Sequence, residues 1–65
     1  IMKVKDFAKK VYKSSLPFGV IIQQGMKKVE YIEDIKNLET ESKYLNEILN
    51  GFMLKETEII LYIKC

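Results

Sequence analysis

The side chains best placed to do chemistry together are carboxylates that stand in two close pairs. Glu33 adjoins Asp34, and Glu39 lies two residues before Glu41. Paired carboxylates act as general acids and bases or hold Mg²⁺. Adjacent residues point in different directions on a helix, however, so we interpret both pairs as solvated charge rather than as a catalytic or metal site.

The remaining reactive residue types are too few to build a catalytic centre. Ser14 and Ser15 are adjacent, but they come just before Pro17, where serine hydroxyls commonly bond to the backbone of turns. The chain has no histidine, and Cys65 is its one cysteine. Ser-His or Cys-His nucleophile pairs, zinc sites and an internal disulfide are therefore excluded. The composition predicts a protein that is not an enzyme and uses no cofactor and no metal.

The length of 65 residues predicts one small domain, residues 1–65, near the lower limit for a core without a disulfide or metal. Ile1 precedes Met2, and we interpret it as a remnant that is not part of the natural protein. The longest run without a charged or amide residue, residues 14–22, is far short of the roughly 20 apolar residues that cross a bilayer. We therefore expect no membrane partner and a cytoplasmic location.

The first half of the chain has clear secondary-structure signals. One helical stripe at i, i+3, i+4, i+7 and i+8 predicts a helix over residues 4–14, and its members are Val4, Phe7, Ala8, Val11 and Tyr12. Pro17 prevents its continuation. Aromatic and β-branched residues on either side of Gln24 and Gly25 then predict a hairpin of residues 19–23 with 27–32.

The middle of the chain fits two structures. Apolar spacings of three and four residues favour one long helix through residues 33–50, whereas the alternation from Ile48 to Leu54 favours a strand. We predict a short helix over residues 41–47, with Thr40 as its N-cap, followed by strands 48–54 and 58–64. The resulting order is αββαββ, an α+β fold with a small antiparallel four-stranded sheet, one longer N-terminal helix and one short middle helix.

The last predicted strand is apolar on both of its faces. Ile59, Leu61 and Ile63 lie on one face, and Ile60 and Tyr62 lie on the other. A strand of this kind needs cover on both sides. The first helix covers one face, which leaves the second to the middle helix, to a second copy of the chain in a homodimer, or to another partner.

Charge divides the chain into a basic and an acidic part. Residues 1–28 hold seven lysines and one aspartate, and residues 29–65 hold four lysines and eight acidic residues. The basic part suggests a nucleic-acid-binding or regulatory module that contacts phosphates. Its candidate residues are Lys5, Lys9, Lys13, Lys27 and Lys28. The chain has no arginine, the residue that reads phosphate and guanine bidentately.

The acidic part suggests a protein partner with a basic groove, because spaced carboxylates on a small domain imitate nucleic-acid phosphates. The candidate partner-binding residues are exposed acids with a neighbouring aromatic anchor: Glu30, Glu33, Asp34, Glu56 and Glu58, with Tyr31 or Tyr44. Aromatic side chains commonly dominate the binding energy of such surfaces.

The overall pattern resembles that of short accessory proteins encoded by bacteriophages and prophages. The likeness lies in the opening of residues 2–7, the Ile-Glu-Asp-Ile of residues 32–35, Tyr44-Leu45, Glu47-Ile48 and the closing residues 59–64. Small phage proteins of this size include anti-CRISPR inhibitors, which bind a host effector nuclease and obstruct DNA loading or cleavage. The resemblance implies a host protein, such as an RNA-guided nuclease, as partner, and the cytoplasm of a bacterial host as location.

Overall fold

Two β-hairpins and three helical segments make up the part of the chain that the computed structural model describes, residues 1–11 and 18–65. In chain order they are α1 (Val4–Val11), β1 (Gly19–Gln24), β2 (Lys27–Ile32), a 3₁₀ turn (Ile35–Asn37), α2 (Leu38–Glu41), β3 (Leu49–Leu54) and β4 (Glu58–Ile63). The predicted α+β class, four-stranded sheet and αββαββ order are confirmed.

The sheet has the strand order β2-β1-β4-β3, so each hairpin contributes one central strand and one edge strand. Both hairpins are antiparallel, but β1 and β4 run parallel, so the sheet is mixed rather than wholly antiparallel as predicted. β1 and β4 take the two central positions because their apolar residues need cover on both faces. They run parallel because residues 33–48 carry the chain along the whole sheet before β3 begins, a crossover of the length that parallel pairing requires.

The turn of the first hairpin depends on Gly25. Its φ is 63°, and no residue other than glycine has a positive φ in the described part of the chain. A positive φ at the first of two turn residues followed by a negative φ at Met26 is the pattern of a type II′ turn, which matches the right-handed twist of the strands. The predicted hairpin is thus confirmed, with β1 one residue longer than expected.

The predicted first helix is confirmed over Val4–Val11, and the rest of the prediction, residues 12–14, lies outside the described residues. The first turn of a helix leaves backbone N–H groups without intrahelical acceptors. Here the N–H groups of Val4 and Lys5 donate to the carbonyls of Glu47 (3.0 Å) and Leu45 (2.9 Å). The start of α1 is therefore held by the segment that leads into β3.

Asp6 completes the cap of α1. The backbone N–H of Lys3 donates to its carboxylate over 2.9 Å, and the N–H of Asp6 donates back to the Lys3 carbonyl over 3.0 Å. The Asp6 side chain thus makes the bond of the acidic residue in a capping box, whereas the return bond ends on the Lys3 backbone carbonyl and not on a side chain. The bond from the Lys3 N–H lowers the pKa of Asp6 below its usual 3.8, with Lys5 and Lys9 assisting and partial desolvation opposing.

The predicted helix at residues 41–47, with Thr40 as N-cap, is wrong, and so is the long helix through residues 33–50. Helical structure begins earlier because Asp34 caps the 3₁₀ turn, its side chain accepting from the N–H of Lys36. Leu38, which is fully buried, anchors α2. Ser42 is extended, and the chain then forms a turn in which the Glu47 N–H donates to the Tyr44 carbonyl over 3.1 Å. This turn presents the carbonyls of Leu45 and Glu47 that α1 requires.

The helical segments all pack on one side of the sheet, which we call the inner face. Its core comprises Val4, Phe7, Ala8, Val20, Ile22, Ile32, Ile35, Leu38, Ile59, Leu61 and Ile63. Two further buried residues, Ile21 and Ile60, do not belong to this cluster, because strand side chains alternate and these two point to the opposite side. That opposite side is the outer face.

Candidate interaction surface

A row of apolar side chains crosses all four strands on the outer face. Tyr31 on β2 is the register partner of Ile21 on β1, which is the partner of Ile60 on β4, which in turn is the partner of Met53 on β3. We call these four residues the outer row. Among the described residues no helix covers it, since α1, the 3₁₀ turn and α2 all contribute to the inner core.

The outer row is buried in its middle and exposed at its ends. Ile21 and Ile60 are 8% and 5% exposed, whereas Tyr31 and Met53 are 58% and 49% exposed. The middle of the outer row is therefore shielded from water, and the tyrosine ring and the thioether at its ends are presented to solvent. Tyrosine and methionine are enriched at the cores of protein interfaces.

The position of Tyr31 depends on a glycine in the neighbouring strand. A Cβ added at Gly19 would lie 2.9 Å from the Tyr31 hydroxyl oxygen and 3.3 Å from its Cε1. The ring therefore lies across Gly19 on β1, where the missing side chain leaves room for it. Larger residues at position 19 would displace the ring, so Gly19 sets the orientation of the most exposed aromatic residue on this face.

Beside Tyr31 the surface is shallow. A depression of about 370 Å³ runs along β2, and it is lined by Ile21, Lys28, Val29, Glu30 and Tyr31. Small-molecule sites are concave and enclose most of their ligand. A shallow apolar surface with a charged rim instead fits a side chain presented by another protein.

The sheet topology collects acidic residues at one end of the strands. β1 and β4 begin, and β2 and β3 finish, at the same end, because Gly19 pairs with Glu58 and Val20 pairs with Ile32. This arrangement places four acidic residues at that end of the sheet: Glu33, Asp34, Glu56 and Glu58. We call these four residues the acidic end. Lys27, Lys28 and Lys64 lie at the opposite end. The strand register thus places four carboxylates at one end of the sheet, where Lys55 also lies just before β4, and three lysines at the other end.

Glu30, a predicted partner-binding residue, has a role within the fold. It is the register partner of Ile22, whose side chain belongs to the inner core. Its carboxylate accepts from the Ser42 hydroxyl (2.5 Å) and from the N–H of Lys43 (2.9 Å). The structure therefore uses Glu30 to hold the chain after α2 against β2 and separates it from the acidic end.

The two predicted aromatic anchors lie in different environments. Tyr31 is exposed on the outer face, next to the acidic end, whereas Tyr44 is half-buried and packs against the inner core. The structure brings Tyr31 together with Glu33 and Glu58 and places Tyr44 on the other side of the sheet.

The lysines of the nucleic-acid hypothesis belong to separate elements. Lys9 is exposed on α1, and Lys5 is half-buried there. Lys27 and Lys28 are exposed on β2 after the hairpin turn, at the end of the sheet opposite the acidic residues. Lys13 lies outside the described residues.

Both members of one carboxylate pair and one member of the other line a shallow depression. Glu33, Asp34, Asn37 and Glu41 line a space of about 360 Å³. Within residues 1–11 and 18–65, no group of three or more cysteine or acidic side chains is arranged to hold a metal ion. Ser14 and Ser15 lie outside the described residues.

Three residues of this surface are missed by sequence reasoning: Ile21, Met53 and Gly19. A signal for Ile21 is present, because Ile21 and Ile22 are adjacent and adjacent strand residues must point to opposite faces. Met53 lies in an uncharged run with Phe52 and Leu54. The run alone does not show whether its strand is central or at an edge, so the exposure of Met53 is recognised only once the strand order is known.

Searches of protein-family models, curated protein sequences and solved structures find no match to this chain. Among the helices of the described residues, none has the length and apolar character needed to span a membrane.

Proposed function

We propose that this protein is a non-enzymatic binding protein that holds another protein on its outer face. The observation that carries the proposal is the outer row, whose ends, Tyr31 and Met53, are about half exposed while no helix of the described residues covers it. Apolar surface of this kind favours association, because contact with a partner removes it from water.

The acidic end defines the chemistry of the partner. Glu33 comes two residues after Tyr31, just beyond the end of β2. Glu58 begins β4, where it pairs with Gly19 of β1. An interface centred on Tyr31 therefore includes carboxylates at its edge. Complementary charge steers association and disfavours partners of like charge, so the partner carries a basic surface beside an apolar one.

The most specific form of the proposal is an anti-CRISPR or related anti-defence inhibitor that binds a host RNA-guided nuclease. The nucleic-acid channel of such an enzyme is positively charged. A small acidic and aromatic surface seated there would obstruct DNA loading or cleavage without any chemistry of its own. The resemblance to short phage and prophage accessory proteins supports this form, and with it we propose the bacterial cytoplasm as the location.

The test is a DNA cleavage assay with purified RNA-guided nucleases, with this protein in excess, followed by measurement of binding to any nuclease that is inhibited. We expect Tyr31→Ala to weaken binding about 30-fold, the size of a hot-spot effect of about 2 kcal/mol. Glu33→Lys is expected to weaken it as well. Glu47→Lys is the matched control, because it makes the same charge change at an exposed residue near the opposite end of the sheet.

Two results would overturn parts of the proposal. Uninhibited cleavage across a representative set of nucleases removes the nuclease-inhibitor form. A mobility shift with DNA or RNA alone that weakens steeply with salt supports instead the module that uses Lys5, Lys9, Lys13, Lys27 and Lys28. In that case Tyr31→Ala would leave the shift unchanged.

A further inference from the structure

The two edge strands of the sheet are protected to very different degrees. β2 carries Lys27, Lys28 and Glu30 and contains a bulge, and charged side chains of this kind discourage pairing with another strand. β3, Leu49–Leu54, contains no charged residue. Its consecutive residues Phe52, Met53 and Leu54 are 55%, 49% and 62% exposed.

The start of the β3 edge is already paired within the chain. The N–H of Leu49 donates to the carbonyl of Met2 over 2.9 Å, and Lys3 forms an antiparallel bridge with Ile48. The N-terminal residues therefore cover β3 as far as Leu49. Among residues 1–11 and 18–65, none pairs with the part of this edge that follows the bulge between Leu49 and Gly51, and we call that part the open edge.

Hydrogen-bond alternation identifies the free backbone groups on this open edge. The N–H of Lys55 donates to the carbonyl of Glu58 over 2.8 Å, so Lys55 faces β4. Alternate residues of an antiparallel pair bond to the same neighbour, so Met53 also faces β4. The N–H and C=O groups of Phe52 and Leu54 consequently point away from the sheet.

We propose that a second copy of this chain pairs with the open edge, β3 against β3 in antiparallel orientation, around a two-fold axis beside Met53. In this register Phe52 of each copy opposes Leu54 of the other. Each opposed pair exchanges two hydrogen bonds, so all four free backbone groups of each copy are used. An isologous interface needs a self-complementary surface, and an antiparallel strand meeting itself provides one.

The side chains of the edge suit the same partner. Met53 meets its own copy on the outer face, which joins the two outer rows into one, and Phe52 and Leu54 meet on the inner face. Lys55 falls opposite Gly51 of the partner, so no like charges oppose each other within β3. A shifted pairing that set Phe52 against Phe52 would leave the Leu54 groups opposite the bulge.

The contact is small. Pairing one short strand buries less than the roughly 1,200 Å² at which standard interfaces begin, so we expect a dimer that dissociates on dilution. This inference depends on the β3 edge and not on the proposed partner of the outer face, and either can fail without the other.

Disulfide trapping tests the register directly. In a Cys65→Ser background, which removes the free and exposed Cys65, Met53→Cys places two thiols on residues whose Cα atoms are about 4.5 Å apart. That separation permits a disulfide. Leu54→Cys is the matched control on the same edge, because its two copies are about 8 to 9 Å apart and exceed the limit. We expect at least tenfold more covalent dimer from Met53→Cys, and equal trapping at both positions would overturn the register.

Sedimentation and amide exchange test the dimer without cysteines. The amides of Phe52 and Leu54 should gain protection as the protein concentration rises, while that of Met53 stays protected throughout. Met53→Lys places two ammonium groups beside the axis and should give a monomer, whereas Met26→Lys makes the same change at a turn residue that is 97% exposed and should leave the dimer intact. The proposal is refuted if the protein is a monomer at millimolar concentration. It is also refuted if the dimer tolerates Met53→Lys and the amides of Phe52 and Leu54 gain no protection as the protein concentration rises.

Discussion

Replacing Glu30 by alanine should destabilise the fold more than replacing any carboxylate of the acidic end. The change removes the acceptor of the Ser42 hydroxyl and of the Lys43 N–H. Hydrogen bonds to charged groups contribute about 1.5–3 kcal/mol each. Because Ser42 is half-buried and Lys43 is exposed, we take about 1 kcal/mol for each bond, and so about 2 kcal/mol for the pair.

That loss is large for a chain of 65 residues, whose free energy of unfolding is about 3–10 kcal/mol at ordinary values per residue. An unfolding entropy of about 2.1 cal/mol/K per residue converts 1 kcal/mol into about 7 °C of melting temperature. We therefore expect Glu30→Ala to melt about 15 °C below the wild type, measured by circular dichroism with urea unfolding as a second probe.

A double-mutant cycle with Ser42→Ala isolates the side-chain bond, and we expect a coupling energy of about 1 kcal/mol. Glu33→Ala is the matched control, because it removes an exposed carboxylate three residues further along the chain and should change stability by less than about 0.5 kcal/mol. A melting temperature for Glu30→Ala within about 3 °C of the wild type, or strict additivity with Ser42→Ala, would refute the structural role.

Three further substitutions test the fold. Leu38→Ala, at a fully buried site, should cost about 3 kcal/mol in urea unfolding, and a loss below about 1 kcal/mol would contradict its anchoring role. Because folding lowers the pKa of Asp6, its ionised carboxylate stabilises the fold above pH 3.8, and this stabilisation is lost as the pH falls through the pKa of the folded protein. The wild type should therefore lose stability more steeply in acid than Asp6→Asn. Equal slopes of stability against pH for the two proteins would contradict this role of Asp6. Gly25→Ala should cost about 1–2 kcal/mol, because φ is 63° and the new Cβ would lie 3.2 Å from the Cys65 Sγ. Gly51→Ala, with nothing within 4 Å, is the control, and an equal loss there would contradict the reasoning.

The elements that the sequence predicts well are those specified by local residues. The stripe of α1, the hairpin around Gly25 and the apolar run of β4 each depend on a short segment, and all three are confirmed. The middle of the chain is predicted poorly, because Leu45 and Leu49 keep a helical spacing although they pack on the core from a turn and a strand. The parallel pairing of β1 and β4 depends on contacts between distant segments, which no local pattern records.

The interaction surface is predictable only in part for the same reason. The two-faced strand at Ile59–Ile63 correctly indicates a second apolar face, and Tyr31 is correctly placed beside acidic residues. Glu30 and Tyr44 are indistinguishable from exposed residues in the sequence, because their partners are supplied by other elements. The acidic end is visible only once the strand register brings Glu33 and Glu58 to one side of the molecule.

The parallel pairing of β1 with β4 has a consequence for synthesis in the cell. The first hairpin is complete once residue 32 has left the ribosome, but its inner neighbour is residues 58–63. Until those residues emerge, Val20 and Ile22 lack their partners in β4, and the core around them is incomplete. Domains dominated by such distant pairings assemble late and slowly. From the emergence of residue 32 to that of residue 63, the nascent chain therefore keeps apolar surface uncovered, and chaperones and other strands compete for it in that interval.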